Sequence, residues 1–348
     1  MTTPRQTSSA GGSAAGTAVG NAASAIMKIE QLTLSFQQES GPVTAFRDVT
    51  LQLNKGEILG LVGESGSGKS LTALSLMKLL PANARFDHGD ITLEGVSLRS
   101  MSESQMRNIR GNKVSMIFQE PMTALNPLIP VGRQIEELFI LHTKLRKSQR
   151  KQKVIELLKS VGISDPEARF HQYPFEMSGG MRQRVMIAMA LACNPQVIIA
   201  DEPTTALDVT IQAQILDLLK EIRRQYDTSI LLITHDMGVI ADAADRVAVM
   251  YAGRLMEVGA VDDLLESPRH PYTIGLLNSI PDLFGDEGAE LNTIPGVVPD
   301  LKNMPGGCPF HPRCPRATDK CREQTPELAE IQQGHAVACW HPAEGERK

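Results

Sequence analysis

The first regular alternation of apolar and polar positions begins at Ile26. IMKIEQLTLSF from Ile26, VTAFRDVTLQL from Val43 and EILGLVG from Glu57 carry the alternating or β-branched apolar residues that predict strands. A helix is predicted from Ser70 to Leu80, stopped by Pro81, and short strands at DITLEG and KVSMIF. A mostly helical, polar stretch runs from Val131 to Gly162, and a further helix from Ser178 to Cys193. QVIIADE reads as a buried strand and TIQAQILDLLKEIRRQY as an amphipathic helix, followed by the strand SILLITH, the helix MGVIADAAD and the strand RVAVMY. Helices alternating with buried apolar strands predict an α/β fold around a parallel sheet.

Two segments depart from this pattern. The first 25 residues are rich in Gly, Ala, Ser and Thr, lack the basic start and apolar run of a secretory signal, and read as a disordered tail. After about Asp263 proline and glycine become frequent and periodicity fades, so the residues from 263 to 348 are expected to form a separate C-terminal extension. The 348 residues carry a net charge of −5, with a pI near 5.9. No global basic field exists to capture nucleic acid, and no apolar run approaches the roughly 18 residues of a membrane span.

GESGSGKS, comprising Gly63, Glu64, Ser65, Gly66, Ser67, Gly68, Lys69 and Ser70, fits the phosphate-binding pattern G-x-x-x-x-G-K-[ST] between a strand and a helix. Glycines let backbone N–H groups wrap phosphates, the helix N-terminus favours anions, Lys69 neutralises β/γ charge, and Ser70 is the expected Mg²⁺ ligand. VIIADE adds carboxylates at a strand end, with Asp201 expected to hold Mg²⁺ through water and Glu202 to polarise the attacking water. Ser178, Gly179 and Gly180 open a helix with a hydroxyl and bare N–H groups, which is either a second anion site or a simple helix cap.

The order phosphate loop, Gln119, Ser-Gly-Gly, Asp-Glu, His235 resembles the ATP-binding cassette (ABC) ATPases over roughly residues 26–263. The resemblance implies an ABC-type P-loop core over 26–262, with a helical subdomain at about 120–180. It implies that Phe36 packs on adenine and that Gln119 reaches Mg²⁺ and senses a membrane partner. By the same resemblance, Ser178, Gly179 and Gly180 bind the γ-phosphate of ATP held by the opposite subunit. Asp208 lies in the loop crossing the dimer interface, and His235 contacts the γ-phosphate. The family's usual signature is Leu-Ser-Gly-Gly-Gln, whereas here Met177 and Met181 flank Ser-Gly-Gly. One set of motifs per chain implies action as a dimer.

SPRHPYT at Ser267–Thr273, IPG at Ile294–Gly296 and the cysteine segment after them resemble the C-terminal region of oligopeptide/dipeptide permease ATPases of the D type. That resemblance implies an F-type ATPase partner, two transmembrane permease subunits and an extracytoplasmic peptide-binding protein. A nickel or glutathione importer, or a soluble non-transport ABC ATPase, is the alternative. Cys308, Cys314, Cys321 and Cys339 are spaced C-x₅-C-x₆-C-x₁₇-C, while Cys193 stands alone in a helix. Four clustered thiols can hold Zn²⁺ or a [4Fe–4S] cluster. The family resemblance implies the cluster, with His311 and His341 as bystanders. The basic run from Lys144 to Lys153 reads as a solvated helix face.

Overall fold

A strand apolar at every position, such as Ile58–Val62, requires cover on both faces, and the fold supplies it. The computed structural model describes residues 25–205, 207–280 and 293–344. The disordered tail expected at the N-terminus lies outside them except for Ala25. In chain order the strands are β1 (Ala25–Gln38), β2 (Gly41–Asn54), β3 (Ile58–Val62), β4 (Ala84–Leu93), β5 (Val96–Ser97) and β6 (Val114–Ile117). They continue with β7 (Val197–Asp201), β8 (Ser229–Thr234), β9 (Arg246–Tyr251), β10 (Arg254–Ala260), β11 (Ala329–Gln332) and β12 (His335–Val337).

These strands form two sheets, a four-stranded sheet ordered β2-β1-β4-β5 and an eight-stranded sheet ordered β11-β12-β10-β9-β3-β8-β7-β6. The run β9-β3-β8-β7-β6 is parallel throughout, as the sequence predicts. The small sheet is antiparallel, so the first two alternating strands do not enter the parallel core. Their alternation is the signature of a strand buried on one face only.

Leu59 and Leu61 pack with Leu34, Phe46, Ile91 and the helix Lys69–Leu76 between the two sheets. Ile58, Ile198, Ala200 and Ile230 join the core beneath the helices Val131–His142, Lys147–Ser160, Gly179–Leu191 and Val209–Tyr226. The helix expected to reach Leu80 stops at Leu76, because Arg110 donates from Nε to the Met77 carbonyl at 2.7 Å and from Nη2 to that of Lys78 at 3.0 Å. These bonds satisfy the carbonyls that end the helix, and Lys78 turns to a φ of 48°.

The C-terminal residues are not separately cored. β12 pairs antiparallel with β10 and β11 with β12, so the extension adds two strands to the edge of the main sheet. Cys308, Phe310 and Cys321 share one apolar cluster with Val62, Val249, Met256 and Tyr272. A segment this rich in proline and glycine cannot bury enough of its own surface, and it uses the sheet edge instead.

Candidate functional site

Strand β3 delivers the chain into the phosphate loop and the helix Lys69–Leu76 takes it out. A Cβ on Gly63 would stand 2.1 Å from the Met250 carbonyl, so the loop can pass β9 only as glycine. Gly66 and Gly68 adopt φ values of 79° and 107°, which lets successive N–H groups turn toward one concavity. Ser67 is buried, and its hydroxyl has no hydrogen-bond partner among the described residues. Lys69 is also buried, with Nζ donating to the carbonyls of Gly63 at 2.7 Å and Glu64 at 3.1 Å. Burial pushes this ammonium below its ordinary pKa, against the opposing pull of Glu202, Asp201 and Glu64.

The parallel order of the sheet puts β7 one strand away from β3, across β8, and sets its C-terminal carboxylates beside the loop. Ser70 donates from Oγ to Asp201 Oδ1 at 3.1 Å. Burial raises the Asp201 carboxyl, which a cation at this position would reverse. Glu202 is held at a φ of 47°, a left-handed conformation that costs a non-glycine residue energy and clusters at functional sites. One oxygen of its carboxylate, Oε2, accepts from Gln119 Nε2 at 3.1 Å and from Thr205 Oγ1 at 2.9 Å, and lies 3.3 Å from His235 Nδ1. Gln119, 83 residues before Glu202 in sequence, and His235 thus meet at one carboxylate.

The other expected residues lie apart from this group. Ser178 caps the helix Gly179–Leu191, accepting from Met181 N at 3.3 Å, and stays exposed. Gly179 faces Leu207 at 3.8 Å and Gly180 faces Ile211 at 3.0 Å, counted from the Cβ each lacks. The Ser-Gly-Gly turn therefore packs beside Asp208, which caps the helix Val209–Tyr226 by accepting from Ile211 N at 2.9 Å. Phe36 is half-buried at the end of β1, paired with Val43 and Ala84.

Cys308, Cys314, Cys321 and Cys339 all line one cavity, together with His311, His341 and Trp340. Burial pushes the Cys308 and Cys339 thiols up to about 11, and repulsion among the neighbouring cysteines adds to the shift. Among the described residues no three of His, Cys, Asp or Glu are close enough together to hold a metal ion. The expected four-thiol ligand set therefore shares a cavity without forming a closed coordination shell. One ring nitrogen of each histidine is engaged, His311 Nδ1 lying 2.9 Å from the Cys308 carbonyl and His341 Nε2 2.9 Å from Thr318 Oγ1. Cys193 sits away from the cavity, with its thiol raised by burial.

The sequence reading missed Thr205, Tyr272 and Arg313. Arg313 pairs its guanidinium with the Glu64 carboxylate, and Tyr272 accepts from the Glu64 N–H at 2.9 Å. Tyr272 lies in SPRHPYT, read above only as a family resemblance, and Arg313 lies between Cys308 and Cys314, in a segment read only for its cysteines.

The profile of the ABC transporter family matches residues 46–205, and that of the oligopeptide/dipeptide transporter C-terminal region matches residues 256–321. The chain is 52% identical over 320 residues to the oligopeptide transport ATP-binding protein OppD of Bacillus subtilis, covering 91% of this chain and 89% of that one. It is 51% identical over 316 residues to the dipeptide transport ATP-binding protein DppD of the same organism, covering 90% and 94%. OppD of Salmonella typhimurium is 48% identical over 322 residues, covering 92% and 95%. Among solved structures, the ATP-binding cassette MJ0796 bound to ADP and Pi superimposes with a TM-score of 0.61 at 26% identity, over 68% of this chain and 98% of that one. With the phosphate loop, the carboxylates of β7 and the C-terminal region in place, the chain belongs to the ABC transporter ATP-binding subunits of the oligopeptide/dipeptide type.

Proposed function

We propose that this protein is the ATP-hydrolysing subunit of an importer for di- and oligopeptides, coupling ATP binding and hydrolysis at a dimer of cassettes to transport through membrane permease subunits. The observation that carries the catalytic assignment is the meeting of Gln119, Thr205 and His235 on one oxygen of Glu202. A carboxylate held by three neighbours leaves its other oxygen to orient water, which is the work of a general base at a phosphoryl centre. Gly63, Ser65, Gly66, Ser67, Gly68 and Lys69 hold the phosphates. Ser70, Asp201 and Gln119 hold Mg²⁺, which supplies neutralisation of phosphate charge when bound. The buried Asp201 carboxyl, raised by desolvation, fits a cation there.

The Ser178–Gly180 turn makes its contacts with Leu207 and Ile211, which supports its use on nucleotide held by a second subunit across Asp208. Phe36, half-buried at the end of β1, is the proposed adenine platform. The partners are an F-type ATPase subunit, two permease subunits and an extracytoplasmic peptide-binding protein. Among the described residues no helix is long and apolar enough to cross a membrane, so the permeases supply the channel, with this subunit on their cytoplasmic side.

Cys308, Cys314, Cys321 and Cys339 are the proposed ligands of a [4Fe–4S] cluster. Convergence of the four thiols on a single cavity is what supports a shared ligand. The assembled complex, reconstituted in liposomes with its binding protein, tests the transport reading. ATP hydrolysis should rise on adding di- or oligopeptide, and stimulation by nickel or glutathione alone would overturn the cargo class.

A further inference from the structure

Glu64 is an acidic residue in a loop built to hold polyphosphate, and its charge opposes the ligand unless something cancels it. Arg313 does so, from 249 residues away. Its Nη1 donates to Glu64 Oε2 at 2.7 Å and its Nη2 to Oε1 at 3.0 Å, the paired fork that guanidinium and carboxylate favour. The Arg313 side chain is 4% exposed and fixed from other sides as well. Nε donates to the Pro295 carbonyl at 2.8 Å, Nη2 to that of Ile294 at 3.2 Å, and the guanidinium stands 5.7 Å from the Tyr251 ring centre.

A second contact holds the backbone of the same residue. Tyr272 Oη accepts from the Glu64 N–H at 2.9 Å, and its ring packs against Tyr251 and Phe310, with centroids 4.7 and 5.3 Å away. The Glu64 carbonyl in turn accepts from Lys69 Nζ at 3.1 Å. The N–H, side chain and carbonyl of Glu64 are thus each tied down, two of the three by residues of the C-terminal region. Arg313 lies in the segment between Cys308 and Cys314, so the cysteine-bearing loop presents it.

We propose that Arg313 is a positioning residue for the ATP reaction, cancelling the Glu64 charge and clamping the first turn of the phosphate loop, so that the C-terminal cysteine segment sets nucleotide affinity. The proposal rests on the ATPase reading, and it requires no contact between Arg313 and the nucleotide. It separates charge from scaffolding, because removing the arginine exposes a carboxylate to the triphosphate, whereas removing both charges does not.

The test measures equilibrium binding of ATP to the full chain at low salt for wild type, Arg313→Gln, Glu64→Gln and the double variant, with thermal unfolding alongside. Binding by wild type checks the nucleotide-site part of the ATPase reading independently. Arg313→Gln is expected to weaken ATP about tenfold in the wild-type background and much less in the Glu64→Gln background. The double variant is expected to recover most of the loss, and added salt to narrow the gap between Arg313→Gln and wild type. Equal weakening in Arg313→Gln and the double variant, or unchanged affinity in both, overturns the proposal. Should Arg313→Gln fail to fold, Arg313→Lys retains charge without the fork and is expected to weaken ATP about threefold. A loss of about tenfold or more in that folded variant, whose cancelling charge is intact, is equally fatal.

Discussion

Glu257 and His335 meet in the interior, Oε1 of one lying 2.7 Å from Nε2 of the other with neither side chain exposed. The pair joins β10 to β12, and so ties the last strand of the C-terminal region to the core sheet. The same carboxylate accepts from the backbone N–H of Arg269 at 2.7 Å and of His270 at 2.9 Å. Glu257→Ala would leave the buried His335 and His270 groups and the part-buried Arg269 N–H without this acceptor, at a cost of roughly 3–5 kcal/mol. Glu257→Gln keeps an acceptor oxygen and should cost less. Urea unfolding followed by circular dichroism checks the ranking, and equal midpoints for wild type and Glu257→Ala would remove the pair as the anchor.

His270 gives that anchor a pH dependence. Burial lowers its pKa from 6.5 to about 4 in the folded chain, with Glu257 opposing the shift. Neutral His270 accepts from Tyr272 N at 3.0 Å through Nδ1, capping the helix Pro271–Asn278. Above pH 6.5 neither folded nor unfolded chain protonates this ring, so it contributes no slope there. Between pH 6.5 and about 4 the unfolded chain binds the extra proton, so stability falls as pH falls, by at most roughly 3 kcal/mol. Asn at position 270 also caps helices and does not titrate, so His270→Asn should flatten this slope. A slope of unchanged steepness in the variant would place its origin elsewhere.

Glu202 provides the sharpest catalytic test. Glu202→Gln preserves the shape and the Thr205 bond but removes the basic oxygen. Phosphate release should fall by about 10²–10⁴-fold while ATP affinity stays within about twofold. Turnover near the wild-type rate would transfer the role of base to another group.

Much of this site is written locally, and that part was legible. The phosphate loop is eight consecutive residues whose glycines and lysine act through their own backbone and side chains, and the sequence alone placed it between a strand and a helix. The continuous apolar run of β7 likewise announced a buried strand ending in Asp201 and Glu202. What was not legible depends on distant pairing. Arg313 is an ordinary charged residue until the fold brings it to Glu64, and β12 is three residues long, too short for any period to register. The short helix after the phosphate loop was overcalled because Arg110, 33 residues on from Met77, supplies the stop rather than Pro81. The resemblance to a known family supplied what geometry within one chain cannot, namely the proposal that Ser178 serves a second subunit.

The cysteine cavity predicts a colour. Purified without oxygen, the chain should show broad visible absorbance and about four irons with matching sulfide. Cys314→Ser should lose both. Zinc at one per chain, with no iron, would replace the cluster by a single-ion site.

Ser178 separates binding within one chain from hydrolysis between two. Its hydroxyl accepts only from Met181 N among the described hydrogen bonds, and it lies on the surface beside Leu207 and Asp208. An arginine at this position would fill the anion site of the Ser-Gly-Gly turn without touching the phosphate loop of its own chain. Ser178→Arg should therefore bind ATP in the isolated subunit with affinity within about twofold of wild type, and unfold at the same temperature. In the assembled complex the same substitution should reduce ATP hydrolysis at the partner's nucleotide by at least about a hundredfold, since its bulk keeps the hydroxyl and N–H donors of the turn away from the transferring phosphoryl group. Nucleotide photolabelling of the isolated subunit, set against phosphate release from the complex, reads the two effects separately. Weakened labelling in the isolated chain would mean that Ser178 serves its own nucleotide, and the two-subunit reading of the site would fall with it.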